Sequence, residues 1–206
     1  MRLRPFHLER ARLCADAYGS PAPAWEAPGL CRAFFAHDSD RSVVTFEGTR
    51  PKFIGDWIVD LDQQPLHLDP ALGALPDGFG RAVLSILFRV MRQIPPETPV
   101  DFNGHSMGGS NALIAAAIWK HAGRRLGSVS AFEAARVGSL GGLLLGEDVL
   151  ITTHGRDPVP ELPLLKPHPV EPVHLTPVKQ MDPIQDHAIE NVAAAIAAVL
   201  NVGKAE

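Results

Sequence analysis

Val100-Asp101-Phe102-Asn103-Gly104-His105-Ser106-Met107-Gly108-Gly109-Ser110-Asn111-Ala112-Leu113-Ile114-Ala115-Ala116-Ala117 is the stretch on which the reading of this 206-residue chain turns. A short extended run from Pro99 to Asn103 leads into Gly-x-Ser-x-Gly, and small residues with helical character continue from Ser106 to Ala122. A strand that passes directly into a helix must turn sharply at the serine. Small residues two places before and two places after Ser106 allow that turn, because no side chain blocks the close backbone approach. The turn exposes the serine Oγ above the strand end, and the start of the helix aims N–H groups and the positive end of its dipole at the same place. Ser106 is therefore a candidate nucleophile, and the Met107 N–H a candidate donor to an oxyanion. A simple helix entry with Ser106 as its N-cap would look similar as a pentapeptide. The strand before it and the helix after it favour the nucleophile.

Working outward, His7 to Tyr18 reads as a helix that stops at Gly19, and Leu30–Ala36 and Ser42–Phe46 read as a hairpin around the polar 37–40 turn. Phe53, Ile54, Trp57, Ile58 and Leu61 recur at helical spacing opposite Asp56, Asp60 and Asp62, which predicts a short amphipathic helix. That pattern fits a cover for the core as well as a movable lid or an acyl-pocket wall. Phe79–Ile94 predicts a helix ended by Pro95-Pro96, and Ser128–Phe132 and Val149–Thr153 predict buried strands. Eight of the nineteen prolines fall between Asp157 and Pro183, which forbids regular helix there, and Ile184–Val202 predicts one closing Ala-rich helix. Strands alternating with helices predict an α/β fold with a mainly parallel sheet in one domain over 1–206.

A serine is a poor nucleophile until a base takes its proton and an acid orients that base, so a histidine and a carboxylate are required downstream in the order serine, acid, histidine. Five histidines follow Ser106: His121, His154, His168, His174 and His187. His121 ends the helix that Ser106 starts, about 22 Å away along its axis, and is excluded. His187 follows the last strand-like segment and is best placed. For the acid, Asp157 follows the strand Val149–Thr153, at the carboxyl end of the sheet where such sites assemble, and Glu133 after the preceding strand is its rival.

Composition bounds the partners. The chain is 46% hydrophobic with a net charge of −4, which supplies no basic field for nucleic acid or for an anionic membrane surface. Its two cysteines, Cys14 and Cys31, form no zinc-type spacing and no disulfide framework, so they are expected to be reduced and buried. Early charges interrupt any signal-like apolar run, which sets cytoplasmic synthesis as the expectation, with export by a non-standard route as the alternative. No cofactor and no obligate protein partner are expected, only a small ester or lipid substrate and a transient contact with a lipid interface.

Several blocks in fixed order resemble the class 3 lipases of the α/β-hydrolase superfamily: Val44-Thr45-Phe46-Glu47-Gly48-Thr49, Asp56-Trp57-Ile58-Val59-Asp60-Leu61, Asp77-Gly78-Phe79, Gly104 to Gly109, Phe132-Glu133-Ala134-Ala135-Arg136-Val137-Gly138, Asp157-Pro158-Val159-Pro160-Glu161-Leu162-Pro163, and Asp186-His187. The resemblance implies a Ser106, Asp157, His187 triad without a cofactor, a second oxyanion donor at Thr49, and a lid in the helix around Trp57. Phe53, Trp57, Ile58 and His105 are then expected along the lid or acyl pocket. Glu47 and Ala135 stand where the family usually carries Arg and Pro. The resemblance implies a lipase or esterase working through an acyl-enzyme. The same machinery could serve a phospholipase A1, a thioesterase or an acyltransferase, and a non-catalytic binding module on this scaffold is the third reading.

Overall fold

The computed structural model describes residues 3–27, 31–38, 41–49 and 65–202. The amphipathic segment with Phe53, Trp57 and Ile58 lies outside them. Helix α1 (Pro5–Gly19) is followed by strands β1 (Trp25–Ala27), β2 (Cys31–Asp38) and β3 (Arg41–Phe46). A two-stranded ribbon, β4 (Pro65–His67) and β5 (Ala74–Pro76), precedes helix α2 (Asp77–Gln93). Then come β6 (Val100–His105), α3 (Met107–His121), β7 (Leu126–Phe132), β8 (Asp148–His154), β9 (Val173–Leu175), α4 (Pro183–His187) and α5 (Ile189–Val202).

Seven strands form one sheet in the order β1-β2-β3-β6-β7-β8-β9. The first three are antiparallel neighbours, and every pairing from β3 onward is parallel. The predicted α/β class and hairpin are therefore present, with β1 and β9 added at the two edges. Both extra strands are only three residues long. The closing helix differs from its expectation: Ala188 leaves the helical region at φ −67°, ψ 129°, and splits it into α4 and α5. Asp182 caps α4 by accepting from the N–H groups of Ile184 and Gln185 at 3.0 and 2.9 Å, and Pro183 starts its first turn. The break brings His187 to the end of a short helix instead of the interior of a long one.

Alternation along the strands divides the core between the two faces of the sheet. Val129, Ala131, Val149 and Ile151 point to the face covered by α2 and α3, while Phe132, Leu150 and Leu175 point to the face covered by α1 and α5. Helix α3 is buried almost all round, which its alanines permit by letting it lie close on β6 and β7. Cys14 and Cys31 are unpaired and buried, and burial pushes both thiols up to about 12.

One buried charge cluster ties α1 to the sheet. Arg10 donates to Asp101 at 2.8 Å, with both side chains almost fully enclosed, and Asp101 also accepts from the Ser128 N–H at 2.7 Å. Removing the carboxylate takes a counter-charge from a buried guanidinium and the acceptor from a buried N–H. Asp101→Ala is expected to lower unfolding free energy by about 3 kcal/mol or more, against less than about 1 kcal/mol for Arg4→Ala in the exposed Arg4–Asp148 pair. Urea unfolding of both variants checks this, and equal losses would contradict it.

Candidate active site

Parallel strands end on the same edge of the sheet, and this is what brings distant residues together. In register, Phe46 lies beside Gly104, His105 beside Phe132, and Phe132 beside Thr152. The chain just past these ends supplies Thr49, Ser106, Glu133 and Asp157 in turn.

Ser106 stands at φ 59°, ψ −129°, a left-handed conformation strained for a residue with a side chain, between the end of β6 and the first turn of α3. The neighbouring glycines are required by close approach. A Cβ on Gly104 would strike the Gly108 carbonyl, and one on Gly108 would strike the carbonyl of Phe46. Gly48 is equally confined, since its Cβ would meet the Tyr18 hydroxyl and the His105 carbonyl. The elbow is therefore wedged against the end of β3. Thr49 lies next to it, its hydroxyl 3.6 Å from the Met107 sulfur, so the two expected oxyanion donors belong to adjacent residues.

His187 bridges the serine and the acid. Its Nε2 is 2.9 Å from Ser106 Oγ and its Nδ1 is 2.6 Å from Asp157 Oδ2. A carboxylate accepts, so Nδ1–H donates to Asp157, and the neutral ring presents Nε2 as an acceptor to the serine hydroxyl. Asp157 is steadied by the Val159 N–H, which donates to Oδ1 at 3.0 Å. Of the two rival acids, Asp157 contacts His187. Glu133 is turned elsewhere, accepting from Thr152 Oγ1 at 3.0 Å and from the His154 N–H at 2.8 Å.

The remaining histidines have other partners. His121 pairs with Asp69 at 3.4 Å, His168 donates to the Pro160 carbonyl, and His174 meets Thr153 Oγ1. His154 donates through Nδ1 to the Asp186 carbonyl at 2.8 Å. His105, expected along the lid or acyl pocket, is buried beside His187. Its Nε2 donates to the backbone carbonyl of His187 at 2.7 Å, and its Nδ1 accepts from the Tyr18 hydroxyl at 2.7 Å. Burial first, and the neighbouring His187 second, push its pKa well below the usual range, so the ring is neutral, as this bonding requires. His105 and His154 thus clamp two successive carbonyls, those of His187 and Asp186, and fix the backbone from which the His187 ring projects.

Other supports were given no contact by the sequence. Tyr18, at the end of α1, orients His105 from 87 residues away. Glu47, where the resembled family usually has Arg, pairs with Arg32 at 2.6 Å, and Arg32 also donates to the Ser20 carbonyl at 3.1 Å. That anchors the segment leading to Gly48 and Thr49. Asp186 accepts from the Arg156 N–H at 2.8 Å, which ties α4 to the loop that carries Asp157.

Comparison with known proteins agrees with this architecture. A search of curated sequences finds no significant match. Among solved structures, the chain is similar to the mono- and diacylglycerol lipase of Aspergillus oryzae (25% identity, TM-score 0.63, covering 76% of this chain and 64% of that one). It is similar also to Lip2 lipase of Yarrowia lipolytica (18%, 0.63, 88% and 81%) and to Rhizomucor miehei triacylglyceride lipase (20%, 0.59, 75% and 65%). The chain spans just under two thirds of the Aspergillus and Rhizomucor proteins. The shared architecture is the α/β-hydrolase fold, with its mostly parallel sheet flanked by helices. The family model for lipase (class 3) matches residues 43–166, from β3 through the loop beyond Asp157. With more than half of its length matched to that model, the chain belongs to the class 3 lipase family.

Proposed function

We propose that this protein hydrolyses carboxylic esters of lipids through an acyl-enzyme formed on Ser106. The observation that carries the reading is the unbroken sequence of contacts from Ser106 Oγ to His187 to Asp157 at 2.9 and 2.6 Å. In this mechanism Ser106 Oγ attacks the ester carbonyl carbon as its proton passes to His187 Nε2. The new oxyanion is held by the Met107 and Thr49 N–H groups. Asp157 stabilises the imidazolium, which then protonates the leaving alcohol as the C–O bond breaks. Water, deprotonated by His187, attacks the acyl-serine, and the acid leaves with the serine proton restored. Lipid is the substrate class favoured by the family and by Leu164 and Leu165, which stand exposed on the segment following Asp157.

The test is labelling of the folded protein by a serine-reactive fluorophosphonate, together with initial rates on p-nitrophenyl esters from acetate to palmitate, below and above their aggregation thresholds. Labelling with rates that rise for long chains in aggregates is the expected result. Labelling with short-chain activity and no rise would restrict the protein to soluble esters. Absence of labelling would reject the hydrolase reading in favour of a non-catalytic scaffold.

A further inference from the structure

Asp157 and His187 lie 30 residues apart on different elements, yet their side chains meet at 2.6 Å, so the loop after β8 must be held in a fixed place against α4. The chain turns sharply there. The His154 carbonyl accepts from the Asp157 N–H at 3.2 Å, closing a four-residue turn that ends on the acid itself. Against that turn lies the carboxylate of Asp186, the residue immediately before the base. It is 1% exposed, and its Oδ2 accepts from the Arg156 N–H at 2.8 Å. Gly155 makes room for it. This glycine stands at φ 57°, and a Cβ on it would lie 2.5 Å from Asp186 Cγ and Oδ2. Two further bonds close the same joint. The His154 ring donates to the Asp186 carbonyl at 2.8 Å, and the Arg156 guanidinium donates to the Met181 carbonyl at 2.8 Å, just ahead of α4.

Resting on the triad reading above, we propose that Asp186 is a positioning residue, whose carboxylate sets the Asp157 turn against α4 and so fixes the contact of Asp157 with His187. It is enclosed and meets no substrate. A buried carboxylate with one N–H donor is costly to desolvate, and an apolar side chain would fill the same space without that cost. What the carboxylate adds is register. Among the described residues its Oδ1 has no hydrogen-bond partner, so its side chain is committed to the Arg156 N–H. Arg156 immediately precedes the acid and Asp186 immediately precedes the base, so this one bond joins the two chains one residue away from the catalytic contact. A slip of the turn along α4 would carry Asp157 Oδ2 away from His187 Nδ1 by a similar distance. On the other side, His105 holds the His187 carbonyl at 2.7 Å, so the base has its own anchor and the acid needs this second one.

Asp186→Ala and Gly155→Ala disturb this joint from its two sides. Each is expected to lower kcat on p-nitrophenyl esters by about 10- to 100-fold with KM little changed, the scale of a catalytic pair displaced by about 1 Å. Asp186→Asn keeps an oxygen for the Arg156 N–H and is expected to recover most of the loss. Made together, the two alanine changes are expected to cost far less than the product of their separate effects, because removing the carboxylate clears the space that the Gly155 Cβ would invade. Rates are taken per folded protein, with thermal unfolding measured alongside. Wild-type kcat per folded Asp186→Ala would overturn the proposal, since a role confined to stability would lower the unfolding midpoint alone. An asparagine variant as impaired as the alanine one would overturn it too. If Asp186→Ala does not fold, wild-type kcat in Gly155→Ala, or a loss of about tenfold or more in folded Asp186→Asn, would overturn it equally. A wild type that takes no fluorophosphonate label and hydrolyses no ester would reject the triad reading, and this role with it.

Discussion

Ser106→Ala is expected to lower kcat on every ester the protein hydrolyses by about 10⁴- to 10⁶-fold, with unfolding free energy within about 1 kcal/mol of wild type. The effect is local. Among the described residues the serine hydroxyl has one side-chain partner, His187 Nε2, so its removal deletes the nucleophile and leaves the ring held by Asp157 and the clamped backbone. The strained turn depends on the glycines packed against it, and alanine meets the same backbone demands as serine. The donors at Met107 and Thr49 remain, and they account for a residual rate above that of water. Initial rates normalised to folded protein, with thermal unfolding alongside, check both halves. A variant within tenfold of wild type would show that another group attacks the ester. Loss of stability together with loss of rate would show that the serine serves the fold.

How much of this was legible depends on where the determining contacts lie. The strand, elbow and helix around Ser106 are determined within one short stretch, because sharp turning, glycine spacing and helix start are all local demands. The parallel sheet follows from alternating strand and helix patterns, and with it the edge at which Ser106 and Asp157 meet. The sequence put Asp157 first on its position and kept Glu133 as its rival, since both follow buried strands at that edge. The resemblance to a family reinforced that order, and it also supplied Thr49. What escaped was non-local. Tyr18 meets His105 from the end of α1, and no pattern near either residue signals it. Strand β9 is three residues in a proline-rich stretch with no periodicity to read. Ala188 is a good helix former that leaves the helix because the histidine before it is tied to the site by its carbonyl and its ring. In each case tertiary contacts overrode local propensity.

Asp157→Asn is the second large effect, and it distinguishes orientation of the base from mere occupancy of its pocket. The amide would keep its carbonyl oxygen on the Val159 N–H, where Oδ1 now accepts at 3.0 Å. That leaves the amide N–H₂ facing His187 Nδ1, in the place of the Oδ2 acceptor at 2.6 Å. A donor there forces Nδ1 to accept and puts the ring proton on Nε2, which then points a hydrogen at Ser106 instead of a lone pair. The serine proton has nowhere to go, and the carboxylate that would stabilise the imidazolium is missing. The expected loss is about 10⁴ in kcat with KM little altered, because the substrate pocket is untouched. Glu133→Ala, whose side chain makes no contact with His187, is expected to lose orders of magnitude less. If the rank were reversed, with Asp157→Asn near wild type and the Glu133 variant inactive though folded, the acid of the triad would be Glu133. The 2.6 Å contact would then be an accident of packing.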